Sequence, residues 1–410
     1  MSTYKNSSLI LLIFCLGLTT FLSCKQEKKE AQEVGLTTKK VISDSLKWSE
    51  RMALSIIKRN PEVWNVDQTI APKWDYKIGL LLTSYERLYK ETKNEKYLDY
   101  IIGYTDLLID STGSILNYKP EEFNIDLINP GKILFNLYEK TQDQRYLKAM
   151  KLLRGQLESH PRTISGGLWH KKIYPNQMWL DGLYMGQPYY ARYTVEFENG
   201  EKLNDVARQF EVLQKQTYDE KTGLYFHAWD ESKKMGWANK ETGTAPHIWL
   251  RALGWYAMAL VDVLDYFPEN HPKQKELVGY LNQLAVAASK FQHESGLWYQ
   301  VPDMGNKEGN YLEASGSAMF AYAFAKGANK GYLPATFKAV ANNAFNGLIT
   351  KLIKVDDNGE IHITQVCGSA GLGGDPYRDG SYEYYVNEKI KIDNSHGLGP
   401  FILAALELNK

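Results

Sequence analysis

Apolar residues recur at helical spacing over most of this chain, which constrains the fold more than any other sequence feature. In one stretch, Leu277, Leu281 and Leu284 lie on one face of a helix. The pattern predicts twelve helices, over residues 43–60, 74–92, 95–110, 131–143, 144–160, 185–199, 201–217, 251–267, 272–292, 313–331, 334–353 and 394–410. No long linker or low-complexity segment separates them, so we expect one all-α domain over residues 43–410.

A weak internal repeat joins these helices in pairs. Gly-Leu-Trp or Gly-Leu-Tyr occurs at 167–169, 223–225 and 296–298, each time after an odd-numbered helix and before an even-numbered one. We interpret these segments as short loops that join the two helices of a helical hairpin. Six such hairpins can close into two concentric rings of helices or stack into an open solenoid. Glycines near the starts of the even-numbered helices favour the closed ring.

Each even-numbered helix is preceded by a loop that carries polar or aromatic side chains. In a double ring the inner helices run parallel, so their N-terminal ends meet at one mouth, where anions are favoured. The loops would therefore converge on a single cleft. They are residues 74–76, 124–126, 179–181, 247–255, 311–313 and 393–396.

The segment 177–186 places one carboxylate, Asp181, among apolar and aromatic side chains, with Gly182 directly after it. Apolar surroundings disfavour a charged carboxylate, and a protonated carboxyl group can act as a general acid. Asp181 is thus a candidate catalytic residue. The alternative is an aspartate that caps the helix predicted over 185–199.

Asp126 is the natural second carboxylate, because paired carboxylates at one cleft are typical of enzymes that act on glycosidic bonds. It too has a helix cap as its alternative. Arg251 could bind a substrate carboxylate through two parallel hydrogen bonds. Trp249 and Trp255 could stack on a sugar ring or belong to the core. His227 could contact the substrate or tune a carboxylate, or it could be structural.

The N-terminus has the pattern of a bacterial lipoprotein signal. An apolar run over 9–21 is too short to span a bilayer comfortably and ends in Leu-Ser-Cys at Cys24. We predict a signal peptide over 1–23, a lipid anchor on Cys24 and a flexible tether over 24–42. The protein would then be exported and anchored to a bacterial membrane. An ordinary cleaved signal with an incidental cysteine is the alternative.

Composition excludes some classes of protein. The chain has 48 basic and 48 acidic residues, so it lacks the basic excess of a nucleic-acid-binding protein. Aromatic residues make up 13% of the chain, which suits a protein that stacks rings on sugars, although large helical proteins also bury aromatics in the core. Loss of the signal peptide would leave Cys24 and Cys367. We therefore expect neither a disulfide framework nor a cysteine metal site.

Several motifs resemble glycoside hydrolase family 105, the unsaturated rhamnogalacturonyl hydrolases, which are related to the unsaturated glucuronyl hydrolases. They are Met-Trp-Leu-Asp-Gly-Leu-Tyr-Met at 178–185, the tract 249–260, Gly-Ser-Tyr-Glu-Tyr-Tyr at 380–385 and Asn-Ser-His-Gly-Leu-Gly-Pro-Phe at 394–401. The resemblance covers roughly residues 45 to 410, with Ala252 at a position where the family often has glycine. It implies an (α/α)6 barrel of six helical hairpins.

The resemblance also implies a reaction. The family acts on oligosaccharides that a polysaccharide lyase leaves with a 4,5-unsaturated uronic acid at the non-reducing end, and it hydrates the enol-ether double bond. Asp181 would match the catalytic acid and base, and Asp126 the second essential carboxylate. Arg251 and Lys171 are the candidates for binding the uronate, and no metal or organic cofactor is implied. The other residues implied to bind substrate are Tyr76, Trp179, His227, Trp249 and Trp255.

Alternative functions remain open at this point. The substrate is expected to derive from rhamnogalacturonan, with ulvan and glycosaminoglycan fragments as alternatives. A sugar 2-epimerase can share the ring architecture and would use paired histidines, for which His227, His247 and His396 are available. A lipoprotein that only binds oligosaccharides would also explain the aromatic loops and the anchor.

Overall fold

The computed structural model describes residues 41–410, which form one compact unit. The predicted signal peptide, Cys24 and nearly all of the tether lie outside the described residues. The described part contains thirteen α-helices: α1 (Trp48–Arg59), α2 (Tyr76–Thr92), α3 (Glu95–Leu108), α4 (Leu134–Thr141), α5 (Gln144–Ser159), α6 (Leu180–Phe197), α7 (Leu203–Thr217), α8 (Leu250–Val263), α9 (Gln274–Ser289), α10 (Ala314–Asn329), α11 (Phe337–Gly347), α12 (Tyr382–Asn387) and α13 (Ser395–Leu408).

Six helical segments form a closed inner ring. In order they are α2, the 3-10 helix Ile125–Ile133 that runs into α4, then α6, α8, α10 and α13. Each packs on the next, and α13 packs on α2. The outer helices α3, α5, α7, α9 and α11 pack mainly on the inner segment that precedes each of them in the chain, and α1 packs mainly on α13. The loops at 167–169, 223–225 and 296–298, predicted to join the two helices of a hairpin, therefore do not join the helices that pack most closely. Because the last inner helix meets the first, the predicted (α/α)6 barrel is confirmed and the open solenoid is wrong.

Close packing between inner helices depends on small residues. Every residue of α8 is buried, so the helix has no solvent-facing side. A Cβ atom added at Gly316 of α10 would lie 2.4 Å from Cγ of Leu250 in α8, and one at Gly254 would lie 2.8 Å from Cβ of Met319. Glycine is therefore needed where these two helices approach each other, as the pattern of glycines near the inner-helix starts suggested.

Eight short strands tie together the loops at the helix ends. They form four antiparallel pairs, β1 (Gln177–Trp179) with β2 (Ala228–Asp230), β3 (Trp298–Tyr299) with β4 (Leu312–Glu313), β5 (Ile353–Val355) with β6 (Ile361–Ile363), and β7 (Val366–Cys367) with β8 (Ile390–Lys391). Trp179 pairs with Ala228, which brings the loop before α8 against the start of α6.

Three features of the helices differ from the sequence prediction. The helix predicted over 185–199 begins at Leu180, because β1 leads directly into it. The helix predicted over 334–353 ends at Gly347 and continues as one π-helical turn, Leu348–Leu352. The short helix α12 was not predicted. Within residues 41–410, no helix combines the length and apolar character needed to cross a membrane.

Buried charges gather toward the C-terminal ends of the inner helices. The Nζ atom of Lys326 lies 2.7 Å from Asp262 and 2.6 Å from Asp265, and Arg87 lies 3.2 Å from Asp262. Lys132 belongs to the same region, yet its Nζ atom makes no hydrogen bond within the described residues. It lies instead 3.6 Å from the centre of the Tyr184 ring.

We predict that Lys132→Met stabilises the protein near neutral pH. Burial lowers the pKa of Lys132 to about 7, below its ordinary value of 10.5. At pH values between these two pKa values, Lys132 is protonated in the unfolded chain and neutral in the folded protein. The free energy of unfolding of the wild type therefore increases as pH rises through this range. Removing the unpaired ammonium should raise the free energy of unfolding at pH 7 by about 1–3 kcal/mol.

Urea unfolding of the wild type and Lys132→Met at pH 7 and pH 9 measures this effect, and the advantage of the variant should shrink at the higher pH. Lys151→Met at an exposed position is the matched control and should change little. A Lys132→Met variant that is less stable than the wild type at both pH values would contradict the prediction.

Candidate active site

A cavity of about 300 Å³ opens at the N-terminal ends of the inner helices. Five of the residues predicted to form the site line it, namely Tyr76, Asp126, Lys171, Trp179 and Asp181. A wider groove of about 820 Å³ around Tyr299 and Tyr311 has only one carboxylate, Glu294, in its wall. Another cavity, near the C-terminal ends of the helices, contains Asp262, whose carboxylate is held in ion pairs. The cavity that contains Asp126 and Asp181 is therefore the candidate active site.

Asp126 lies in the 3-10 helix but does not cap it. The cap is Asn124, whose Oδ1 atom accepts a hydrogen bond from the backbone N–H of Asp126 at 3.1 Å. The carboxylate of Asp126 is therefore free to face the cavity, where Oδ2 lies 2.6 Å from Nζ of Lys171 and Oδ1 lies 3.4 Å from Nε2 of His170. The helix-cap alternative for Asp126 is wrong.

The charges around Asp126 fix its protonation state. Burial would raise the pKa of Asp126, but Lys171 and His170 together bring it below the ordinary value. Burial likewise tends to lower the pKa of Lys171, and Asp126 raises it above normal. Burial lowers the pKa of His170 to about 4 despite Asp126. At neutral pH the group is therefore a carboxylate, an ammonium and a neutral imidazole.

Asp181 lies in the first turn of α6 and does not cap the helix either. The cap position is Trp179, which has an extended backbone and makes no side-chain cap bond. The side chain of Asp181 keeps 13% of its surface exposed and lies with Oδ2 3.2 Å from Nε2 of His227. The capping alternative for Asp181 is also wrong, and the carboxylate is available for chemistry in the cavity.

His227 is completely buried behind Asp181 and does not line the cavity. Its Nδ1 atom lies 2.7 Å from the hydroxyl oxygen of Tyr385. If Tyr385 donates to Nδ1, the imidazole carries its hydrogen on Nε2, which lies close to Asp181 Oδ2, although neither of these two atoms makes a hydrogen bond within the described residues. Of the two roles predicted for His227, the geometry favours tuning a carboxylate over contact with the substrate.

One wall of the cavity is formed by three nearly parallel rings. The Trp179 ring lies 4.4 Å from that of His170, with an interplanar angle of 6°, and 5.2 Å from that of Tyr174, with an angle of 15°, while the rings of His170 and Tyr174 are 6.4 Å apart. Opposite charges and flat rings in one cavity suit a sugar acid, whose ring faces are apolar and whose rim is polar. Tyr76 also lines the cavity, and its hydroxyl lies 2.9 Å from Nε2 of His396.

Three predicted residues on or before α8 do not reach the cavity. Arg251 donates from its guanidinium to the carbonyl oxygens of Cys367, at 2.8 Å, and Gly368, and to Oγ of Ser315. Trp255 stacks on Tyr184 with ring centres 4.9 Å apart.

Trp249 lies against His227, with ring centres 4.8 Å apart, and Arg251 lies over its indole ring. Each of these three residues has only 1% of its surface exposed. Two tryptophans six residues apart can both be buried, because an inner helix is enclosed on every side.

The structure adds residues that the sequence analysis missed. Asp75 lines the cavity and is a true helix cap, since it accepts a hydrogen bond from the backbone N–H of Lys77 at 2.8 Å. Tyr174 and Arg378 also line the cavity. Arg378 follows the glycine-rich stretch 371–374, just before the motif at 380–385, and this clustering of glycines was an available signal. Among residues 41–410, no set of three His, Cys, Asp or Glu side chains is arranged to hold a metal ion.

Comparisons with known proteins agree with this fold. The model of Glycosyl Hydrolase Family 88 matches residues 48–410. A solved structure of a family 105 glycoside hydrolase from C. acetobutylicum ATCC 824 is 45% identical to this chain, with a TM-score of 0.85, over 89% of this chain and 99% of that chain.

Two further relatives match part of the chain. A 24.9 kDa protein in the picA locus of Rhizobium radiobacter is 38% identical over 54% of this chain and 97% of its own length. The unsaturated rhamnogalacturonyl hydrolase YesR of Bacillus subtilis is 29% identical over 61% of this chain and 70% of its own length. The chain is therefore a glycosidase of the glycosyl hydrolase family 88 type and belongs to glycoside hydrolase family 105.

Proposed function

We propose that this protein releases a 4,5-unsaturated uronic acid from the non-reducing end of lyase-generated oligosaccharides, with rhamnose as the neighbouring sugar. The observation that carries the proposal is the pair of carboxylates in one cavity with different partners. Asp126 lies 2.6 Å from an ammonium, whereas Asp181 lies 3.2 Å from a buried imidazole. The Bacillus subtilis relative is an unsaturated rhamnogalacturonyl hydrolase, which supports rhamnogalacturonan fragments as the substrate.

In the proposed reaction, Asp181 donates a proton to C4 of the enol ether, and water adds to the cation that develops at C5. The carboxylate left on Asp181 takes the proton that the water loses. The C5 hemiketal then opens to a ketone, and the hemiacetal at C1 releases the neighbouring sugar as an alcohol. The overall change is the addition of one water molecule. Asp126, ionised beside Lys171, orients the sugar ring and the water.

This reaction differs from ordinary glycoside hydrolysis in what its stereochemistry depends on. Retaining and inverting glycosidases attack the anomeric carbon, and the separation of their carboxyl groups sets the outcome. Here the proton and the water add across C4 and C5, so that rule should not apply. The anomeric configuration of the neighbouring linkage should therefore affect the rate mainly through binding.

The competing functions make different demands on the same cavity. A sugar 2-epimerase would need paired histidines at the substrate. None of His227, His247 and His396 lines the cavity, and His170 is the one histidine of the described residues that does, so no pair is present. A protein that only binds oligosaccharides has no use for a carboxylate whose nearest partner is a buried histidine. Hydration accounts for both observations. Hydrolysis of ulvan or glycosaminoglycan fragments remains the alternative within the same chemistry.

An absorbance assay on products of pectin, ulvan and glycosaminoglycan lyases tests the function. The conjugated double bond of the unsaturated uronate absorbs in the ultraviolet, and hydration removes it. We expect the fastest loss of absorbance, with release of one sugar per bond hydrated, on the rhamnogalacturonan products. Calorimetric binding without any loss of absorbance would instead support the oligosaccharide-binding protein.

We also propose that the protein is exported and anchored to a bacterial membrane through a lipid on Cys24, a residue outside the described part of the chain. The support is the position of Cys24 at the end of the apolar run 9–21. Labelled fatty acid should be incorporated into the full-length chain and not into a Cys24→Ser variant. Equal labelling of both chains would overturn the proposed anchor.

A further inference from the structure

The cations that line the candidate active site are unequally paired. Four of them face the cavity, Lys73, Lys77, Lys171 and Arg378. Each of the three lysines has a carboxylate partner: Lys73 lies 3.1 Å from Asp75, Lys77 lies 2.9 Å from Asp67 and Lys171 lies 2.6 Å from Asp126. Within the described part of the chain, Arg378 makes no ion pair. Its charge is therefore the one in the cavity that a substrate anion can neutralise without first breaking an ion pair.

Neutral acceptors hold the guanidinium of Arg378 in place. Nε donates to the carbonyl oxygen of Gly373 at 2.8 Å, and Nη2 donates to the hydroxyl oxygen of Tyr174 at 2.9 Å and to the carbonyl oxygen of Leu372 at 3.2 Å. Tyr174 is itself stacked on Trp179 in the aromatic wall. The side chain is thus positioned in advance while its full charge is kept, which lowers the entropic cost of binding an anion.

The backbone around Arg378 is shaped to this position. Gly373 and Arg378 exchange two backbone hydrogen bonds, at 2.8 and 3.2 Å. A Cβ atom at Gly371 would lie 2.4 Å from Nη1 of Arg378, and one at Gly374 would lie 3.1 Å from Nη2. Gly374 also has a φ of +83°, which side chains other than glycine rarely adopt. Both glycines are therefore needed for the guanidinium to stay beside the loop.

The substrate under the proposed function carries one obvious anionic group, the uronate carboxylate at C5. The cavity already contains the carboxylates Asp75, Asp126 and Asp181, which would repel it. We propose that Arg378 binds the uronate carboxylate, an assignment that rests on the proposed function. Arg251 does not fill this role, because only 1% of its surface is exposed and it does not line the cavity.

This assignment predicts an effect on binding more than on chemistry. Protonation at C4 develops positive charge at C5, directly beside the carboxylate that Arg378 holds. A cation there stabilises the bound substrate at least as well as the transition state. Its interaction with the carboxylate therefore strengthens substrate binding without accelerating the chemical step. Loss of Arg378 should therefore raise KM for the acid and leave kcat nearly unchanged.

The experiment compares the unsaturated uronyl disaccharide with its methyl ester, which lacks the charge. In the wild type, the acid should have the lower KM. In Arg378→Met, KM for the acid should rise roughly ten- to a hundredfold, the usual range for loss of a charge-assisted hydrogen bond, and KM for the ester should stay within about twofold. Arg378→Lys keeps the charge but not the two parallel N–H donors of the guanidinium. Its KM for the acid should therefore lie between the values of the wild type and Arg378→Met.

Arg208→Met is the matched control, because Arg208 also donates from its guanidinium to a backbone carbonyl, that of Ser165, but does not line the cavity. It should leave both KM values unchanged. Equal rises in KM for acid and ester in Arg378→Met and Arg378→Lys would overturn the assignment while leaving the proposed function intact. Turnover of neither substrate by the wild type would overturn the proposed function, and the assignment with it.

Discussion

Asp181→Asn should abolish the loss of ultraviolet absorbance from unsaturated uronyl oligosaccharides, with kcat at least about 10²–10⁴-fold lower than in the wild type. The amide cannot donate a proton to C4 or take one from the attacking water. Its volume and its place in the first turn of α6 are unchanged. The stability of the protein should therefore change little, and initial rates on a rhamnogalacturonan lyase product measure the effect.

The matched control is Asp357→Asn, the same substitution at an exposed position in the turn between β5 and β6. It should keep the wild-type rate. Calorimetric titration of Asp181→Asn with the intact substrate separates a role in binding from a role in the chemical step. Binding should persist in this variant although turnover is lost. Near-normal turnover in Asp181→Asn would remove this residue from the mechanism.

Glu313→Ala should destabilise the fold by about 3–5 kcal/mol, the largest structural effect that we expect from a single substitution. Glu313 is fully buried at the start of α10. Its carboxylate accepts hydrogen bonds from the backbone N–H groups of Ser315, Gly316 and Cys367, at 2.9, 2.7 and 3.0 Å. Alanine would leave all three buried donors without an acceptor and would remove one of the hydrogen bonds that hold β7 against the inner ring.

Urea unfolding followed by circular dichroism measures the loss for Glu313→Ala. Glu313→Gln keeps one acceptor oxygen and should lose less. Glu294→Ala, at an exposed position, should stay within about 0.5 kcal/mol of the wild type. If Glu313→Ala unfolds at the same urea concentration as Glu294→Ala, the three hydrogen bonds do not hold the start of α10.

The candidate site shows where reasoning from sequence reached its limit. Asp126 and Asp181 could be named because motif and local setting both marked them, and the structure then excluded a helix cap for each. Arg251 was named for the same kind of reason, yet it points into the interior of the ring wall. Arg378 was missed because the glycine cluster before it, although an available signal, is also typical of an ordinary surface loop.

The twelve barrel helices and their order were predictable from the sequence, because apolar spacing is a local property that reports which side of a helix is buried. The pairing of outer with inner helices was not, since the outer helices from α3 onward pack mainly on the inner segment before them and α1 packs mainly on α13. The tertiary structure decided which charges face the substrate. Whether a cation is free depends on which carboxylates the folded chain brings within about 4 Å of it. Such a partner can be distant in sequence, as Asp126 is from Lys171. Ring closure also buries α8 on every side, so its arginine and tryptophans became part of the wall, while an arginine from a glycine-rich loop reaches the cavity.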